Sequence, residues 1–178
     1  VKTLVLGGIR SGKSAVAERL VQTAQKSTAV TYIATGPTFD DDDWAQRLAA
    51  HRARRPASWG TIETIELPAT IGALRGPAII DCIGTWLTAQ LDLLNAWQRD
   101  RGEWAVELEA TLTELADAIA SSAHDLVIVS NEVGLALVPE HRSGRVFADW
   151  LGLSNQRIAA VCDEVQLVVA GQVLKVKG

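Results

Sequence analysis

One run constrains this chain more than any other: Gly7-Gly8-Ile9-Arg10-Ser11-Gly12-Lys13-Ser14. It matches the pattern G-x-x-x-x-G-K-[ST] at every required position. Glycines let such a loop curl until successive backbone N–H groups point inward at phosphate oxygens. The helix that follows presents its unpaired N–H groups and positive dipole end to the same anion. Lys13 then reaches the β- and γ-phosphates, and the Ser14 hydroxyl is a Mg²⁺ ligand. The flanks fit: a strand pattern over Thr3–Leu6 precedes the loop, and helix periodicity over Ser14–Gln25 follows it. The bland alternative is a Gly-rich turn that happens to carry Lys-Ser, and those flanks weigh against it.

The remainder of the chain alternates short apolar runs with longer helical patterns. Strands are predicted over Ala29–Ala34, Thr61–Glu66 (half-buried), Ala78–Ile80 and Leu126–Val129. Helices are predicted over Trp44–Arg55, Thr85–Trp97, Trp104–Ala120 and Gly144–Val161, the last interrupted near Gly152. Val165–Val169 and Val173–Val176, separated by Ala-Gly-Gln, read as a closing hairpin, which must be antiparallel. The expected fold is α/β: a mostly parallel sheet with helices on both faces and a C-terminal antiparallel hairpin edge. Residues 1–178 read as a single catalytic domain, because this length suits one domain and no linker interrupts it.

A phosphate loop needs an acidic residue near the metal, at the end of a neighbouring strand. Asp81 and Asn131-Glu132 both end strand patterns. Asp81 carries its carboxylate directly at the strand end and is preferred, although a helix N-cap would also explain it. Glu132 lies beyond its strand, where it could face substrate instead. A second informative stretch is His51-Arg52-Ala53-Arg54-Arg55. On a helix, Trp44, Leu48, His51 and Arg55 fall on one stripe. The arginines suit a polyphosphate clamp, because the planar guanidinium bonds phosphate oxygens bidentately. The bland reading, cations at a helix C-terminus with His51 packed on Trp44, accounts for this stretch, taken alone, slightly better.

The formal net charge of −4 argues against sequence-independent nucleic-acid binding, which runs on surplus Lys and Arg. No apolar run approaches the roughly 18 residues of a membrane span. Cys82 and Cys162 lie in apolar surroundings and are expected as free thiols in a reducing cytoplasm. Six tryptophans against one Tyr and two Phe is a skewed aromatic set. For Trp86, Trp97 and Trp104, an interface and a core location are both open readings.

Several segments together resemble the bifunctional adenosylcobinamide kinase / adenosylcobinamide-phosphate guanylyltransferase family of cobalamin biosynthesis. They are Gly7–Ser14, Tyr32-Ile-Ala-Thr-Gly36, His51–Trp59 with Thr61 and Glu63, Asp81-Cys with Trp86-Leu-Thr88, Ser130-Asn-Glu-Val-Gly134, Val138-Pro-Glu140 and Asn155-Gln-Arg157. The chain departs from the family pattern at Trp44, Ala89, Ala148 and Leu153. The resemblance implies two reactions: phosphorylation of adenosylcobinamide by ATP or GTP, and transfer of GMP from GTP to adenosylcobinamide phosphate with release of pyrophosphate. It implies a GMP–histidine intermediate at His51, with Lys13 as the other catalytic residue. It also implies GTP-binding positions at Ala34, Thr35, Gly36, His51, Arg52, Ala53, Arg54, Glu63 and Asp81, beside Gly7–Ser14. Ser14 and Asp81 are the expected Mg²⁺ ligands, and a cytoplasmic homotrimer is the expected assembly. Other classes remain open: a P-loop kinase of another small molecule with a structural histidine, a guanylyltransferase without the kinase step, or a non-catalytic nucleotide-binding assembly module.

Overall fold

A computed structural model describes residues 1–24, 29–36 and 56–178. The strands are β1 (Lys2–Gly7), β2 (Thr31–Ala34), β3 (Gly60–Glu63), β4 (Ala78–Asp81), β5 (Leu126–Asn131), β6 (Glu164–Val169) and β7 (Gln172–Lys177). The helices are α1 (Lys13–Ala24), α2 (Leu67–Gly72), α3 (Ile83–Leu93), α4 (Ala105–Ser121) and α5 (Arg142–Val161). A 3₁₀ turn, Arg101–Glu103, precedes α4.

The strands form one sheet in the order β3-β2-β4-β5-β1-β6-β7. All neighbouring pairs are parallel except β6 with β7. The central strands read as near-continuous apolar runs because both sheet faces are covered. On one face Val5, Ile79, Val127 and Val129 pack with Val16, Ala17 and Val21 of α1. On the other, Leu4, Ile80 and Ile128 pack with α3, α4 and α5 through Trp86, Leu108, Leu115, Trp150 and Ile158. Trp86 and Trp104 are fully buried, which decides for the core reading of both. Trp104 meets Trp150 at a ring-centroid distance of 5.5 Å.

The mostly parallel sheet, its two helical faces and the antiparallel hairpin agree with expectation. Four local readings need correction. The strand read over Thr61–Glu66 ends at Glu63 and is exposed along its whole length, because β3 is the sheet's outer edge. The next residues instead enter α2, a short helix with Pro at its first turn, where a missing N–H breaks no helical bond. Helix α3 starts at Ile83 and stops at Leu93, well before Trp97, and Asn95 beyond it takes a left-handed φ of 50°. β5, by contrast, ends at Asn131, where the polar residues after its apolar run had placed the strand end. Helix α5 runs unbroken through Gly152, where a Cβ would meet nothing within 4 Å. The predicted helix Trp44–Arg55 lies outside the described residues.

Candidate active site

Because six strands are parallel, their carboxyl ends gather on one edge of the sheet. The pairing sets their levels. Ala34 stands opposite Glu63 on one side and Asp81 on the other. Asp81 stands opposite Val129, and Gly7 opposite Asn131. Ligands of open α/β sheets bind at this edge.

The loop that leaves β1 there has the conformation its glycines allow. Arg10 adopts φ 57° and Gly12 φ 93°, both in the left-handed region. Gly7 is required for a different reason. A Cβ on it would lie 2.4 Å from Ser11 Oγ and 2.8 Å from the Val168 carbonyl of β6. The Ser11 N–H donates to the Gly8 carbonyl at 3.2 Å, which closes the curl. Lys13 arches back over the loop, with Nζ donating to the Gly8 carbonyl at 3.1 Å, and is 9% exposed. Helix α1 begins at Lys13 itself, so its first N–H groups face the loop.

The β6–β7 turn braces the loop from the far end of the chain. Ala170 and Gly171 both have positive φ, 50° and 75°, as a tight hairpin turn demands. The Gly171 N–H donates to the Ser11 carbonyl at 2.8 Å. A cleft of about 450 Å³ opens between the loop residues Gly8–Ser11, the segment after β5 from Glu132 to Ala136, and the end of β6.

Asp81 does not cap α3, whose N-cap is Cys82. Its Oδ2 accepts from the buried Tyr32 hydroxyl at 2.6 Å. Asp81 continues the alternation of Ile79, so it belongs to the same sheet face as α1. A serine hydroxyl at the start of α1 and a carboxylate on that face are hard oxygen donors. Mg²⁺ takes few protein ligands alongside water and phosphate oxygens, so Ser14 and Asp81 fit it. No group of three His, Cys, Asp or Glu residues suited to a metal occurs among the described residues.

Thr35, an expected nucleotide contact, is buried, and its hydroxyl is engaged within the protein. It donates to the Cys82 carbonyl at 2.6 Å and lies 2.8 Å from Thr85 Oγ1. Its N–H donates to the Asp81 carbonyl. Thr35 thus ties the end of β2 to the β4–α3 turn, while Ala34 and Gly36 beside it are half-buried. Glu63 is exposed at the end of β3. Burial pushes the Cys82 thiol up, and the Asp81 carboxylate adds to this. Hydrogen bonds from Thr85 and the Lys13 charge pull the other way. His51, Arg52, Ala53 and Arg54 lie outside the described residues. His124 Nε2 lies 3.2 Å from the Leu74 carbonyl in a turn at the opposite edge of the sheet, and His141 is the N-cap of α5.

Sequence reasoning missed the bracing by Gly171 and the network around Thr35, Thr85 and Cys82. The paired positive-φ turn signal at Ala170-Gly171 was visible only as a hairpin. No local pattern says where a hairpin tip will rest.

Residues 3–176 match the family described as cobinamide kinase / cobinamide phosphate guanyltransferase. The chain is 41% identical over 184 residues to the bifunctional adenosylcobalamin biosynthesis protein CobP of Pseudomonas aeruginosa, covering 100% of this chain and 98% of that protein. It is 40% identical over 183 residues to the bifunctional adenosylcobalamin biosynthesis protein CobU of Salmonella typhimurium, covering 98% of each. Among solved structures it resembles an ATPase from the type III secretion system of pathogenic bacteria, with a TM-score of 0.59 and 11% identity. That match covers 98% of this chain and 56% of the other. A Pyrococcus horikoshii protein gives a TM-score of 0.55 at 9% identity, covering 99% of this chain and 86% of the other. At such identities the structural likeness is one of fold. No described helix is long and apolar enough to cross a membrane.

Proposed function

Since the chain belongs to the cobinamide kinase / cobinamide phosphate guanyltransferase family, we propose how its own residues carry the two reactions. The observation that carries the reading is the loop Gly7–Ser14, held in a left-handed curl at the carboxyl edge with Lys13 folded over it.

In the kinase step, the aminopropanol hydroxyl of adenosylcobinamide attacks the γ-phosphorus of ATP or GTP. The new O–P bond forms as the β–γ bridging bond breaks, and the hydroxyl proton passes to solvent. The loop N–H groups orient the triphosphate, and Lys13 stabilises charge on the transferring and departing oxygens. In the guanylyltransferase step, a neutral His51 nitrogen attacks the α-phosphorus of GTP. An N–P bond forms and pyrophosphate leaves against Lys13, the loop N–H groups, Arg52 and Arg55. An oxygen of adenosylcobinamide phosphate then displaces the imidazole, giving adenosylcobinamide-GDP. Ala34, Gly36, Ala53 and Glu63 complete the nucleotide contacts. Ser14 and Asp81 would hold Mg²⁺, which when bound neutralises phosphate charge. One loop cannot present the α- and γ-phosphorus to the same point, so the nucleotide or the His51 segment repositions between steps. Residues 1–178 act as one catalytic domain, in a cytoplasmic homotrimer.

The test is incubation with Mg²⁺ and GTP radiolabelled at the α-phosphate, followed by denaturing electrophoresis. Wild-type protein should retain label that is lost in acid and survives alkali, as a phosphoramidate does. His51→Ala should lose labelling and guanylyl transfer while keeping most kinase activity. Lys13→Ala should lose both activities by about a hundredfold or more. Full labelling of His51→Ala would assign the nucleotide to another residue. A monomer mass in light scattering at micromolar concentration would overturn the trimer.

A further inference from the structure

A second polar side chain reaches the phosphate edge, on the strand between the loop strand β1 and the Asp81 strand β4. Side chains alternate across a strand, so odd-numbered residues of β1, β4 and β5 share one face. Val5, Ile79, Val127 and Val129 all pack on the α1 side. Asn131 continues that series at the end of β5, opposite Gly7, where the phosphate loop begins.

Asn131 is fixed from three directions. Its Oδ1 accepts from the Cys82 thiol at 3.5 Å. The same oxygen lies so close over Gly84 that a Cβ there would come within 2.6 Å of it. Behind the strand, Asn155 of α5 donates from Nδ2 to the Asn131 carbonyl at 3.0 Å, and its Oδ1 accepts from Ser130 Oγ at 2.6 Å. Ser130 and Asn155 are both buried, so these bonds are shielded from competing water. With Oδ1 engaged, the donor end of the carboxamide, Nδ2, has no hydrogen-bond partner among the described residues. Lys13 Nζ rests on the Gly8 carbonyl, and Asn131 is paired with Gly7 next to it, so the carboxamide stands beside the loop that receives the phosphates.

Resting on the phosphate-loop reading, we propose that Asn131 is a phosphate-contacting residue. Its Nδ2 donates to the terminal phosphate of a bound nucleoside triphosphate, and Cys82 and Asn155 act as positioning residues. The contact exists only when a third phosphate is present. A loop that grips the inner phosphates by N–H groups cannot make that distinction.

Calorimetric titration with GDP and with the β,γ-imido analogue of GTP, both with Mg²⁺, separates the possibilities. Asn131→Ala should bind the imido analogue about tenfold more weakly, with GDP affinity within about twofold of wild type. Asn131→Asp keeps the shape but sets an anion against the phosphate, so it should lose more than the alanine variant for the triphosphate alone. It carries the test if Asn131→Ala fails to fold. Asn155→Ala, checked for folding by its melting transition, should show the same selective loss to a smaller degree. Equal losses for both nucleotides, or no loss with Asn131→Asp, would overturn the proposal. Failure of the wild-type protein to bind either nucleotide would instead defeat the phosphate-loop reading.

Discussion

The Tyr32 hydroxyl reaches diagonally from β2 to Asp81 Oδ2 on β4, at 2.6 Å. In the pairing, Tyr32 stands opposite Ile79, one side-chain repeat below Asp81 on the same face. Tyr32 is 3% exposed, so its hydroxyl could not remain unbonded there without cost. The bond sets the carboxylate's orientation at the sheet edge.

Removing that donor should therefore be felt in the metal dependence before it is felt in the fold. Tyr32→Phe is expected to raise the Mg²⁺ concentration for half-maximal turnover, by up to about tenfold, as loss of partners behind a ligand does. Asp81→Asn should raise it further, because a neutral amide is a poorer ligand for a hard cation. Mg²⁺ titration of initial rates checks both. An unchanged profile in Asp81→Asn would move the acidic role to Glu132.

Two adjacent loop glycines should behave oppositely when given a methyl group. At Gly7 the new Cβ would collide with the Val168 carbonyl at 2.8 Å, a backbone atom that cannot step aside cheaply. Gly7→Ala is expected to cost about 1–3 kcal/mol, as overpacking does, and to weaken nucleotide binding because the loop must shift. At Gly8 a Cβ would meet nothing within 4 Å. Gly8→Ala should stay within about 0.5 kcal/mol of wild type. Denaturant unfolding of the pair, side by side, reads the difference.

Cys162 gives the stability curve an alkaline slope. Burial pushes its thiol from 9.0 up to about 12. An unfolded chain would ionise this group above about pH 9 while the folded chain holds the proton. The resulting contribution is fully present below pH 9 and is lost as pH rises toward 12. At pH 10 the penalty is about 1.4 kcal/mol. Cys162→Ala should lie lower at neutral pH and fall less steeply between pH 8 and pH 10 in urea unfolding. Parallel curves would refute the assignment.

What the sequence made legible was local and chemical. The loop Gly7–Ser14 is readable because each glycine and cation has a separate physical reason to be where it is. The strand ends at Asp81 and Asn131 were visible because an apolar run stops at a polar residue. Gly152 misled, because its helix cost of about 1 kcal/mol is overridden by packing on either side, with Trp150, Leu151 and Ser154 all buried. The end of α3 was read too late because Trp97 and Ala96 extend the apolar pattern after the backbone has turned at Asn95. Helix α2 escaped because Leu67–Gly72 is too short to show a period. The Ser11–Gly171 contact and the Asn155 bonds to β5 join segments far apart in the chain, and periodicity carries no information about such meetings.

The position of β1 has a consequence for how the molecule comes into being. This strand carries the phosphate loop, yet its two neighbours are β5 and β6, which lie most of a chain length further on. On a ribosome, β1 waits through the synthesis of four helices among the described residues before either flank exists. Until then its apolar backbone and the Gly-rich turn have nothing to pair with, and such unpaired strands invite wrong partners. The phosphate cradle therefore cannot assemble early as a local unit. It matures only when β6 and the Gly171 turn arrive to close on Ser11, which couples completion of the site to synthesis of the segment that carries them.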